Sequence, residues 1–218
     1  MENLLKIPYV AFNDNWDLLQ QFLNRRGNPK YEITGDVDLF FKDIIDVGNL
    51  VRVYGNLNLE YSSIESFETL EYVGGDLNLI GSSIQTLGNL EYVGGRLGLH
   101  DTPIQSLGNL EYVGGNLSLN DTPIRSLGNL EYVDGFLDLR DTPIQSLGNL
   151  VRVNGNLKMY SLSIESLGNL KYVGGWLDLR YTQIQSLGNL EHIGEHIWLL
   201  RNHQIPEEQL TNFKLKYY

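Results

Sequence analysis

The segment Ser106-Leu-Gly-Asn-Leu-Glu-Tyr-Val-Gly-Gly115 returns nearly unchanged twenty residues earlier and twenty residues later. The period runs without insertion from Phe41 to Leu200, eight units, and Ile33-Thr-Gly-Asp-Val-Asp-Leu39 supplies the last part of a ninth. One such unit is too small to bury an apolar face by itself. The units must therefore stack on one another, each covering its neighbour.

Aligning the units shows which positions the stack dictates. One column holds isoleucine from Ile44 to Ile184, another leucine from Leu50 to Leu190, and a third valine from Val53 to Val173 with Ile33 and Ile193 at its ends. Two more hold the pairs Leu57-x-Leu59, Leu77-x-Leu79 and their successors. An apolar residue repeated in every coil makes an internal ladder, so these columns form the expected core. Each column takes the name of its residue in the coil 101–120.

The Leu-x-Leu spacing has period two, the mark of a strand with one buried face. Asn116-Leu-Ser-Leu-Asn120 reads as that strand, entered through a glycine turn at Gly114-Gly115 and ended by Asp121-Thr-Pro123. Ile104, Leu107, Leu110 and Val113 are spaced by three, which fits a return path of turns and short 3₁₀ segments. The expectation is an all-β solenoid with one long parallel sheet. At roughly 4.8 Å per strand its eight coils make a rod on the order of 40 Å long.

The pattern Leu110-x-x-Val113-x-x-x-Leu117-x-Leu119-x-x-Thr122-x-Ile124 resembles a leucine-rich repeat, with threonine where that family usually places asparagine or cysteine. The Asn-Leu-x-x-Val-x-Gly-x-Leu-x-Leu phrasing is similar to the repeats of receptor L domains and of short bacterial and phage leucine-rich repeat proteins. The resemblance covers residues 33–200. It implies a right-handed coil that serves as a recognition scaffold, and a host-interaction role such as inhibition of a cellular defence protein. The threonine and the missing helical segment depart from the family pattern and imply a straighter solenoid than a horseshoe.

The ends differ from the repeats. Residues 13–26 carry an Asn/Asp cap signal, then Trp16, Leu19, Phe22 and Leu23 at helical spacing, with Gly27 and Pro29 as stop signals. Pro206-Glu-Glu-Gln-Leu-Thr-Asn-Phe213 suits a short closing helix with proline in its first turn. Residues 1–30 and 201–218 are thus expected to cap a solenoid at 31–200, where exposed strand edges need covering.

Twenty-seven acidic against sixteen basic residues give a formal charge of −11. That field opposes direct binding of nucleic acid or anionic membrane. No cysteine is present to form a disulfide or a thiolate metal site. With no leader-like N-terminus and no long apolar run, the expected location is the cytoplasm, or the host cytoplasm for a viral chain.

The outward strand positions vary most from coil to coil, so the fold leaves them free. Up to residue 135 they are mainly small and polar. From there onward they gather Phe136, Arg140, Lys158 and Tyr160, and then Trp176, Arg180, Tyr181 and Trp198. Trp, Tyr and Arg are enriched at binding hot spots. These eight residues form a candidate contact surface for a partner protein, expected to be exposed, and a homo-oligomer is open as well. The same side chains could instead only stabilise the sheet by cross-strand stacking and pairing.

Other columns suggest other roles. Glu71, Glu91, Glu111, Glu131 and Glu191, with Asp101, Asp121 and Asp141, stack like charges that belong at solvated turns. Their alternative use is to imitate nucleic acid in the groove of a DNA- or RNA-binding protein. Tyr72, Tyr92, Tyr112, Tyr132 and Tyr172 read as a stacking ladder on the return face.

Catalytic chemistry finds little support. The serine column, Ser66 and Ser106 through Ser186, has no histidine column beside it, so a turn hydrogen bond is expected there. His192 and His196 lack a third ligand, and the Gly-Gly pairs precede strand rather than helix. No cofactor or metal is expected. Asp138 and Asp178, two coils apart at roughly 9.5 Å, form the one pair from which a saccharide-active enzyme could be built. The same pair also reads as a surface salt ladder with Arg140 and Arg180.

Overall fold

The computed structural model describes residues 4–218. It is an all-β parallel solenoid in which each coil gives one strand to each of two sheets. The first sheet begins with Leu5–Pro8, Tyr31–Thr34 and Leu50–Val53 and continues through two-residue strands such as Tyr112–Val113 to His192–Ile193. The second runs from Val37–Asp38 through Leu117–Ser118 to Ile197–Leu199 and Leu215–Tyr217. Among the described residues each sheet has ten strands. Isolated bridges such as Thr86↔Ser106 mark a third side.

Two sheets replace the single sheet expected from the sequence. The Gly-Gly corner does not merely lead into a strand; it joins two extended arms, and both arms stack in register. Tyr112 pairs with Tyr92 and Tyr132, while Leu117 pairs with Leu97 and Leu137. The apolar spacing of three across Leu110 and Val113 hides this, because only two residues of the first arm are extended before the corner. The second arm is also shorter than five residues, with Leu117–Ser118 as its strand.

The apolar columns are the core, as their repetition implies. Ile104, Leu110, Val113, Leu117 and Leu119 are fully buried, and so are their counterparts through most coils. Removing each such side chain from water is worth about 1.5–3 kcal/mol, so the ladders hold the coils together. The corners are hydrogen-bonded rather than apolar. Thr122 is buried and donates its hydroxyl to the Leu119 carbonyl at 2.6 Å, and Ser106 Oγ accepts the Gly108 N–H at 3.0 Å. The serine column therefore makes the expected turn bond.

Both ends carry a helix, and both also carry a strand that lies outside the repeat. Helix Trp16–Asn24 buries Trp16, Leu19 and Leu23 on the first coils, and Asn15 Oδ1 caps it by accepting the Leu18 N–H at 3.1 Å. Ahead of it, Leu5–Pro8 extends the first sheet. At the other end the one-turn helix Glu207–Leu210 follows Pro206, which stands just before the helix rather than within it. Leu215–Tyr217 then extends the second sheet. Among the described residues, no helix is long and apolar enough to cross a membrane.

Candidate functional site

The outward face of the second sheet is built from the Asn116, Ser118 and Asn120 columns, and the fold makes its own demands on the first two. Asn116-column side chains bond from coil to coil. Asp36, Asn56 and Asp76 accept the backbone N–H of Asn56, Asp76 and Arg96 at 2.7–2.8 Å, and Asn116 and Asn156 accept those of Phe136 and Trp176 at 3.0 Å. Ser118-column side chains bond locally. Asn58, Asn78, Asp138 and Asp178 accept the N–H two residues onward, a turn that Asn and Asp make readily.

Against that rule Arg96, Phe136 and Trp176 are departures, the last two aromatic. Each aromatic residue donates its backbone N–H to the asparagine one coil earlier and has no side-chain oxygen to offer the coil after it. Tyr181 is a further departure. It occupies the Asp101 column, whose backbone is left-handed, with φ 58° at both Asp101 and Tyr181. A bulky side chain is an outlier in that conformation.

The candidate residues come together on this face around two buried carboxylates. Arg140 holds Asp138 through two bonds of 2.8 and 2.7 Å, and Lys158 Nζ lies 3.3 Å from the same carboxylate. Arg180 grips Asp178 in the same way at 2.9 and 2.7 Å. The Arg180 guanidinium also lies 5.6 Å from the Tyr160 ring, 5.2 Å from Trp198 and 5.3 Å from Tyr218. Tyr160 meets Tyr181 edge to face at 5.0 Å, and Lys158 sits 4.9 Å over Phe136.

The expectation that all eight would be exposed needs correction. Arg140, Tyr160 and Tyr181 are exposed, whereas Phe136, Lys158, Trp176, Arg180 and Trp198 are half-buried. The two aspartates are no surface salt ladder either: Asp138 is 4% and Asp178 5% exposed. They fix the two arginines in place from beneath.

Burial pushes the Asp138 carboxyl up. The hydrogen bonds from the Arg140 side chain and backbone, with the charges of Lys158 and Arg140, outweigh that and hold it below the usual carboxylate value. A depressed folded pKa contributes stability that is present above the unfolded value and lost as pH falls through the folded one. Asp138→Asn is therefore expected to cost about 1–2 kcal/mol at neutral pH. The gap from wild type should narrow below about pH 4, as thermal melts across a pH series would measure. An unchanged gap throughout would mean that the Asp138 carboxylate is not stabilised by its cations.

Two further features mark this face. Gly98 and Ser118 leave the face low, and between Ile80, Arg96, His100 and Phe136 lies a hollow of about 450 Å³. At the opposite end of the sheet Phe40, Phe41 and Tyr61 cluster, with Phe41 stacked 4.7 Å from Tyr61. Phe41 and Tyr61 also stand in the left-handed column, at φ 54° and 58°. The sequence signal for both was present: small residues interrupting an outward column, and aromatics in a column of Asp, Gly and Ser.

Of the tyrosine column on the first sheet, Tyr72, Tyr92 and Tyr112 stack as expected, 4.9 Å apart with nearly parallel rings, and Tyr172 stacks on His192 at 4.6 Å. Among the described residues no cluster of His, Cys, Asp and Glu could hold a metal ion. No protein-family model, no curated protein and no solved structure matches the chain.

Proposed function

We propose that this protein is a non-catalytic recognition scaffold of the leucine-rich-repeat kind, holding a partner protein on the C-terminal half of its second sheet. The carrying observation is the set of departures at Phe136, Trp176 and Tyr181. In each, a residue type that the coil accommodates gives way to an aromatic ring on the outward face. Local rules of a fold are broken chiefly where function requires it.

The surrounding groups suit binding. Large rings combine buried area with a polar edge, and Arg140 and Arg180 are held in one arrangement by Asp138 and Asp178, which lowers the entropy lost on docking. They suit glycoside hydrolysis poorly. That reaction needs one carboxyl with a raised pKa as its acid, and Asp138 is shifted the other way.

The test compares immobilised wild type with Tyr160→Ala/Trp176→Ala in lysate of the native host, both shown to be folded by circular dichroism. The double variant is expected to bind the retained protein at least about tenfold more weakly. Equal retention by both would overturn the assignment of this face. Loss instead on charge reversal at Glu91, Glu111 and Glu131 would move the site to the acidic edge and favour nucleic-acid imitation.

A further inference from the structure

The outward face of the second sheet divides by charge along its length. From Asp36 to His100 its columns carry Asp36, Asp38, Glu60 and Asp76 against Arg96 alone, a net of −3. From Phe136 to the last strand they carry Arg140, Lys158, Arg180, Lys214 and Lys216 against Asp138 and Asp178, a net of +3. The coil between them presents Asn116, Ser118 and Asn120 and is neutral. The hollow is lined mainly from Asp76 to His100 and reaches across the middle coil to Phe136, and the rings of Tyr160, Trp176 and Trp198 stand beyond it.

A face whose charge inverts about its midpoint is self-complementary under a two-fold axis through that midpoint. We propose that two copies of this chain dock face to face through their second sheets, antiparallel, with the axis along the strands and over the coil of Asn116–Asn120. This rests on the recognition reading above and names a second copy as a partner of that face. Each column then faces itself, and coils equally distant from the centre meet. Glu60 comes opposite Arg180, Ile80 opposite Tyr160, and Arg96 opposite the Phe136 ring. Lys158 falls beside Asn78 and Asp76. Ile80 and Arg96 are walls of the hollow, so the rings of one copy close over the depression of the other.

The footprint is adequate and small. Nine facing strands at roughly 4.8 Å each and a width of about 13 Å give on the order of 560 Å² per copy. The total, about 1,100 Å², lies at the lower end for a specific interface. Such a dimer depends on its charge pattern and weakens as salt screens it.

Sedimentation velocity on the full chain over a dilution series, at low and high salt, reads the dimer directly. Dissociation is expected to become roughly tenfold or more easier at high salt. Asp76→Lys and Lys158→Glu should each weaken the dimer alone and form a heterodimer when mixed, because mixing restores an opposite-charge pair between positions 76 and 158 on both sides of the axis. Wild type monomeric throughout the low-salt series overturns the proposal, and that measurement needs no variant to fold. A dimer indifferent to salt and to both reversals overturns it too, since another surface would then hold the copies. A monomeric wild type that still retains a protein through Tyr160 and Trp176 would leave the recognition reading standing and remove the dimer alone.

Discussion

Gly108→Val is expected to abolish the cooperative thermal transition of this chain, or to lower its stability by at least about 3 kcal/mol. Gly108 has φ 59°, where an ordinary residue costs roughly 1–2 kcal/mol and a β-branched one more. Space adds to the strain. A Cβ at Gly108 would lie 2.2 Å from the Gly88 carbonyl oxygen and 2.8 Å from the Gly88 nitrogen, both backbone atoms of the coil beneath and unable to swing aside. The damage would spread beyond one corner, because each coil is stable only through its neighbours and Gly108 lies mid-stack. Asp121→Gly is the control. It also changes a left-handed residue, φ 59°, to one that tolerates that backbone, so it should shift the urea midpoint little. If the valine variant melts with wild type, the coils do not approach at this corner as described.

What the sequence exposed was whatever the stack repeats. Ile104, Leu110, Val113, Leu117 and Leu119 recur in columns because each meets its own copy one coil away, and all are buried. The first sheet escaped notice because its arm is two residues long between Glu111 and the glycine corner, too short for an alternation of period two to register. The terminal strands escaped for a different reason. Leu5–Pro8 and Leu215–Tyr217 lie outside the period, and the first ends in a proline, which argues against a central strand.

The site was half legible on similar grounds. Phe136, Tyr160, Trp176 and Trp198 could be found as exceptions in outward columns. The work done by the ordinary residues of those columns could not, since Asn116 bonds a backbone N–H twenty positions away and nothing in a linear pattern separates that from a solvated asparagine. For the same reason Asp138 and Asp178 read as surface charges, though the arginines that shield them are only two residues onward. The left-handed column offered a clue that was visible in principle. Asp101, Asp121, Asp141 and Gly81 are types that accept such a backbone, and Phe41, Tyr61 and Tyr181 among them mark strain.

Truncation after Leu200 should turn a dispersed protein into an aggregating one, with the soluble fraction falling several-fold and thioflavin fluorescence rising. The closing segment covers the stack in three ways. Ile205 and Leu210 are buried against the last coils, Gln209 Oε1 accepts the Leu187 N–H at 2.8 Å, and Leu215–Tyr217 pairs with the edge of Ile197–Leu199. Without them Leu187, Ile197 and Leu199 would face water, and the second sheet would end in an open row of N–H and C=O groups, a template for pairing with other chains. In the intact chain the strand now at that edge carries Lys216 between its neighbours, with Lys214 just before it, and like charges there disfavour unspecific pairing. The first sheet tolerates its own open end because His192–Ile193 is only two residues long and is followed by Gly194. A chain cut at Leu200 that remained soluble, and melted cooperatively, would mean that the last coil closes the core without help. The stack would then have to end in a packing different from the one that buries Leu210.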